Sequence, residues 1–160
     1  MSPRAACRLA TLGFTRVYDY TAGKVDWFAH GLPGEGLRAN DPTAGSLARH
    51  DVATCPLDVS AGDVRRGIAD SPYGYALVLS RGGVVLGRVR KSALDTLSEN
   101  DGIDAVLEPR PQTIRPHLTK TKVHERFEAY GFRTLVVTRP DGTLIGVLRR
   151  DDVDVDVATA

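Results

Sequence analysis

The chain carries the same succession of apolar and polar stretches twice. YALVLS at 75–80 and LVVT at 135–138 are unbroken apolar runs rich in β-branched residues. Each is followed by a glycine-bearing turn, Arg81-Gly82-Gly83 or Pro140-Asp141-Gly142, and then by a second apolar run, VVLGRV at 84–89 or TLIGVL at 143–148. Short apolar runs bounded by turn residues predict strands, and each pair predicts a hairpin. Upstream of each hairpin the pattern turns helical. Ser60 is placed to cap a helix over VRRGIAD at 64–70, with Asp63 three residues on. Thr119 is placed to cap a second helix, in which Val123, Phe127 and Tyr130 share one face. Extended lead-in segments precede both helices, VATCPLDV at 52–59 and PQTIRPHL at 111–118. Short closing helices are predicted after the hairpins, in RKSALDTLSEN at 90–100 and RRDDVDVDV at 149–157.

The two units align without a gap. At a constant offset of 59 residues, Thr54 falls on Thr113, Ser60 on Thr119, Val64 on Val123, Ile68 on Phe127, Gly83 on Gly142, Gly87 on Gly146 and Arg90 on Arg149. A fixed period means one supersecondary unit used twice, and two copies predict a pseudo-symmetric pair. Gly87 and Gly146 interrupt strands. An interior glycine weakens a strand, and it often marks the close approach of a ligand or of another backbone.

A length of 160 residues allows one compact domain, or two small units sharing a core. With 21 Lys and Arg against 20 Asp and Glu, the net charge of +1 gives no general electrostatic case for a nucleic acid or membrane partner. No apolar run approaches the roughly 18 residues of a membrane span, and the first residues lack the apolar core of a signal peptide. Cys7 and Cys55 make no disulfide framework, so a reducing, cytoplasmic setting is expected. His30, His50, His117 and His124 show no ligand spacing with the cysteines, and no metal is implied.

The first fifty residues follow a different pattern. Ser2 and Pro3 predict a helix start, with Ala5, Leu9 and Leu12 on one face and Gly13 as its end. Phe14 to Tyr20 reads as a strand. Ala22 to His30 reads as a short helix with Trp27 inward, stopped by Gly31 and Pro33. Residues 34–50, rich in Gly, Ala, Asn and Asp, read as a linker. Cys7, between Arg4 and Arg8, reads as a small packing residue, as does Cys55 before Pro56.

The repeated order strand, helix, strand, strand, helix, the hairpin segment PDGTLIGVLRRDDV and the threonine-bearing lead-ins resemble a tandem pair of CBS domains, a Bateman module, over about residues 50–155. The resemblance implies an α/β fold, β-α-β-β-α used twice about a pseudo-two-fold axis. It also implies adenosyl ligands in clefts between the copies, and regulation in place of catalysis. In that family the last strand enters its helix as Gly, two apolar residues, Thr or Ser, two of any kind, then Asp. The Asp holds ribose hydroxyls, and the Thr or Ser helps hold phosphate. Copy two reads Gly146, Val147, Leu148, Arg149, Arg150, Asp151, Asp152. Asp152 takes the ribose position, and Arg149 replaces the hydroxyl residue with a guanidinium that pairs with phosphate. In copy one, Ala93 stands where Asp belongs. The resemblance therefore implies a site made by Thr113, Ile114, Arg133, Val147, Arg149 and Asp152. It leaves Thr54, Arg90 and Lys91 as a weaker first site that is basic but has no sugar contact. AMP, ADP, ATP and S-adenosylmethionine are the implied regulatory ligands, no cofactor is required, and a homodimer through the helices is the implied assembly. The competing reading is a dimerisation or protein-interaction module with a lapsed nucleotide site. There Gly146 would be a packing glycine, and the charges around Asp152 would be local ion pairs.

Residues 1–36 resemble the C-terminal end of a rhodanese domain: Ser2, Ala5-Ala6, Leu9, Leu12-Gly13-Phe14, Val17, Gly23, Trp27, Gly31 and Pro33 follow its pattern. This implies a short α-β-α remnant. The rhodanese nucleophile is a cysteine just before the serine, and Cys7 is not at that position, so a sulfurtransferase is the least favoured reading. The expected organisation is a remnant at 1–36, a linker at 37–50, a first repeat at 51–99 and a second at 100–160.

Overall fold

The computed structural model describes residues 2–36 and 40–154. Helices α1 (Ser2–Thr11) and α2 (Gly23–Ala29) lie in the N-terminal segment, and α3 (Ala44–Leu47) follows. The first half is β1 (Thr54–Pro56), α4 (Ala61–Gly67), β2 (Tyr75–Leu79), β3 (Val85–Arg90) and α5 (Lys91–Leu94). A 3-10 turn at Asp104–Val106 and β4 (Glu108–Pro109) lead to the second half. That half is β5 (Thr113–Ile114), α6 (Lys120–Tyr130), β6 (Thr134–Thr138), β7 (Leu144–Arg149) and α7 (Arg150–Asp154). The order β-α-β-β-α thus occurs twice, as the sequence pattern predicts.

Local chemistry explains the repeated form. Ser60 and Thr119 each accept a hydrogen bond from the backbone N–H three residues on, at Asp63 and Lys122, which satisfies a donor left free at a helix start. The hairpins close through Gly83 and Gly142, at φ +77° and +89°, where a side chain would be strained. The registers repeat as well. Thr54 stands opposite Leu77 and Thr113 opposite Val136 in parallel pairs; Tyr75 stands opposite Arg90 and Thr134 opposite Arg149 in antiparallel ones.

The first strand of each hairpin is buried on both faces, and alternation along the hairpin strands divides their buried side chains between two cores. Ala76, Val78 and Val89 face the core of the first half, with Ala61, Val64 and Ile68. Leu135, Val137 and Leu148 face that of the second half, around Phe127. The opposite faces meet between the halves as Val52, Tyr75, Leu77, Val136 and Val147. There the Tyr75 hydroxyl donates to Thr134 Oγ1 at 3.2 Å, joining two residues that occupy the same place in their repeats.

Residues 43–50, expected to be linker, are structured. Thr43 and Ser46 form a capping box for α3, and Ala44 is fully buried in the second-half core with Leu47 and Ala48 against it. Thr43 bridges Thr119, and Arg49 bridges Val147. The same contacts recur with the roles of the halves reversed: Gly102 bridges Ser60, and Glu108 pairs with Arg88. Each half therefore carries an arm that packs on the other, and the 59-residue register extends upstream to Thr43 and Gly102.

Other expectations are corrected. Residues 14–20 form no strand: the backbone there has no ladder partner among the described residues, and Phe14 and Tyr18 are exposed. Cys7 does not pack; it is exposed on α1, as are Leu9 of the same helix and Leu12 just after it. Tyr130 lies at the end of α6 and is exposed, leaving Val123 and Phe127 as its buried face. The first closing helix stops at Leu94. Residues 155–157 of the second lie outside the described residues.

Candidate ligand site

Strand order gathers several of the expected side chains. β5 runs parallel to β6, and β7 antiparallel to it, so the starts of β5 and β6 meet the end of β7. Thr113, Arg133, Arg149 and Asp152 belong to this end of the sheet. Thr113 and Arg133 are exposed, and the Arg133 carbonyl accepts from the N–H of Arg150 at 3.0 Å. Ile114 and Val147 do not present side chains here. Ile114 turns into the second-half core, opposite to its neighbour Thr113, and Val147 is fully buried between the halves.

Asp152 is held by a residue from the arm. Its Oδ1 accepts from Arg49 Nη1 at 3.4 Å, while its Oδ2 is buried without a hydrogen-bond partner among the described residues. Arg49 also donates from Nη2 to Asp51 Oδ2 at 2.8 Å and from Nε to Oδ1 at 3.4 Å. The Tyr73 hydroxyl donates to the same carboxylate. The Arg49 hydrogen bond, with Tyr73 second, holds Asp51 down to about 2. Burial first and Asp51 second push Tyr73 up to about 12. Arg149 pairs with Asp151 at 3.0 Å, on the solvent side.

The corresponding place in the first half has the opposite polarity. Glu108 stands where Arg49 stands, and accepts from both Arg88 Nε and Arg90 Nε at 2.7 Å. Ala93 replaces the aspartate and offers no acceptor side chain. Lys91 opens α5 and donates its N–H to the Gly74 carbonyl at 2.9 Å. Thr54 is separate from this cluster. It lines a cleft of about 380 Å³ between the halves, with Val52, Leu79, Arg139, Thr143 and Gly146.

The glycines have a structural partner. A Cβ at Gly146 would overlap the Arg49 carbonyl oxygen, and a Cβ at Gly87 would lie 2.6 Å from Leu107 Cδ1 and 2.7 Å from the Glu108 carbonyl oxygen. What approaches both is the arm backbone. Sequence reasoning missed Arg49, Asp51, Tyr73 and Glu108. One signal was present: carried further upstream, the repeat offset sets Ala44, Leu47 and Ala48 against Ile103, Val106 and Leu107, apolar on both sides.

The CBS-domain family model matches residues 103–154, from the second arm to the closing helix. Solved structures that match 69% or more of the chain include CBS domains and a CBS domain pair. This is the CBS-pair fold. The cytosolic domain of the Mg2+ channel MgtE in complex with ATP superposes with a TM-score of 0.64 at 21% identity, over 72% of this chain and 48% of that one. The chain thus spans about half the length of that channel domain. The CBS domains of a transcriptional regulator from Streptococcus pneumoniae superpose at 0.61 and 24% identity, over 69% and 95%. A CBS domain protein from Pyrobaculum aerophilum complexed with AMP does so at 0.59 and 18% identity, over 74% and 99%. No curated protein matches the chain. Among the described residues no helix is long and apolar enough to cross a membrane, and no three His, Cys, Asp or Glu side chains are grouped to hold a metal ion.

Proposed function

We propose that the chain is a regulatory CBS pair that binds an adenosyl ligand of the AMP or ATP type in its second half. Asp152 holds the ribose hydroxyls and Arg149 the phosphate, with Thr113 and Arg133 at the same end of the sheet. The observation that carries this reading is Asp152, which keeps the motif position and has one buried oxygen without a donor. A ribose offers two adjacent hydroxyls, which match the two oxygens of a carboxylate. The ATP and AMP complexes among the similar structures support the ligand class. Ile114 and Val147 act through packing, and the weaker first site has Arg90 engaged by Glu108. The role is regulatory, not enzymatic, in a cytoplasmic homodimer. Calorimetric titration with AMP, ADP, ATP and S-adenosylmethionine tests it. At least one is expected to bind, and Asp152→Asn to lose that binding; no heat from any of the four at millimolar ligand contradicts the reading.

One observation favours a second reading. The first half has Ala93 where the motif has an aspartate, and its Arg88 and Arg90 are both engaged by Glu108. A protein-interaction module with a lapsed nucleotide site fits that half, and its signature is a stable dimer indifferent to all four ligands. For organisation we propose a rhodanese-like remnant at 1–36 and repeats at 51–99 and 100–160. The remnant rests on the sequence pattern alone, since its two helices form and its strand does not.

A further inference from the structure

We propose that Arg49 is an internal competitor for the ligand at Asp152. Its guanidinium engages one carboxylate oxygen, and a ribose-bearing molecule that uses both oxygens competes with it there. This rests on the adenosyl reading of the second-half site.

Arg49 reaches Asp152 across 103 residues because the arms are exchanged. Its backbone is pinned. The Arg49 N–H donates to the Val147 carbonyl, and the Val147 N–H donates to the Arg49 carbonyl, both at 2.9 Å. The neighbouring Gly146 has no side chain to hold the arm off. The side chain, by contrast, is shared between two carboxylates. It meets Asp51 through two nitrogens, the nearer at 2.8 Å, and Asp152 through one at 3.4 Å. Releasing Asp152 therefore leaves the guanidinium with its better partner. The pair is also partly open to solvent, with side-chain exposures of 40% and 32%, so it is weak and salt-sensitive. A competitor of this strength changes affinity several-fold without closing the site. The first half has no such device, since Glu108 and Ala93 stand at the matching positions. Ligand at Asp152 would leave the arm side chain on Asp51 alone, in that half only, and Asp51 also accepts from Tyr73, which gives binding a route to the other half of the molecule.

Adenosine is a suitable probe because it is uncharged, so added salt acts on the protein's ion pair and not on the ligand. Its affinity is measured by calorimetry for the full chain, Arg49→Gln and Asp51→Asn, from low salt to about 0.3 M. Arg49→Gln is expected to bind adenosine several-fold more tightly. Asp51→Asn is expected to bind it several-fold more weakly, because Arg49 is then left with Asp152 alone. Added salt is expected to tighten binding in the unmodified chain and to leave Arg49→Gln unchanged. If the unmodified chain binds and Arg49→Gln binds no more tightly, the competitor is overturned and the site stands. If all three chains fold by thermal melting and none binds adenosine, AMP, ADP, ATP or S-adenosylmethionine, the site itself is overturned and the competitor with it. Should Arg49→Gln fail to fold, the Asp51→Asn direction and the salt series decide the matter.

Discussion

The carbonyl oxygen of Arg49 occupies the place where a side chain on residue 146 would begin. The arm closes on the second half only because that residue is glycine. The matching relationship holds between Glu108 and Gly87. The two strand glycines are therefore the seats of two exchanged arms, and each arm brings a charged side chain to the end of the opposing sheet.

Replacing Gly146 with alanine is expected to destabilise the fold by about 1–3 kcal/mol, since the obstacle is backbone and cannot rotate away. At this chain length each kcal/mol lowers Tm by about 2–4 °C. Gly87→Ala is expected to behave likewise, because Leu107 can move and the Glu108 carbonyl cannot. Gly67, the last residue of α4, with open space around its Cβ position, is the control. Gly67→Ala is expected to leave Tm unchanged or raise it slightly, the gain staying below the roughly 1 kcal/mol that helix propensity gives in a helix interior. A neutral Gly146→Ala would mean that the arm does not seat there.

The contact between halves can be tested at Tyr75. Tyr75→Phe keeps the ring in the shared core and removes the hydroxyl that reaches Thr134. A loss of about 1 kcal/mol in urea unfolding is expected. For comparison, Phe127→Ala empties the centre of the second-half core and is expected to cost about 3–5 kcal/mol.

Acid should loosen the arm. Arg49, with Tyr73 second, holds Asp51 down to about 2, and His124 is the first cause of the lowering at Asp154. A carboxylate with a depressed folded pKa stabilises fully above its unfolded value, near 3.9. That contribution is lost as pH falls from about 4 toward 2. Tm measured downward from pH 5 is expected to drop across this window. Asp51→Asn should drop less steeply there, and an unchanged slope would remove Asp51 from the explanation.

Much of the fold was legible because it is local and used twice. The caps at Ser60 and Thr119, the turn glycines Gly83 and Gly142 and the apolar hairpin strands each state their role within a few residues. The arms were not, because their meaning is non-local. A short stretch rich in Gly, Asn and Asp looks like a linker until Ala44 and Arg49 find partners across the chain. Phe14 to Tyr20 shows the converse. It has strand-like residues but no neighbouring strand among the described residues, and residue type alone does not supply a ladder. For the proposed site, the motif singles out Asp152 and Arg149, which lie in α7 and at the end of β7. Ile114 and Val147 were assigned to a ligand where alternation sends them into cores.

The central claim, that Asp152 anchors an adenosyl ligand, is tested most directly by a thermal-shift titration with AMP, ADP, ATP and S-adenosylmethionine, run in parallel on Asp152→Asn. A ligand at 100 times its Kd adds about 2.7 kcal/mol, a shift of several degrees at this size. A shift with at least one ligand that vanishes in Asp152→Asn is the expected result. No shift with any of the four, or one that survives Asp152→Asn, would contradict the claim.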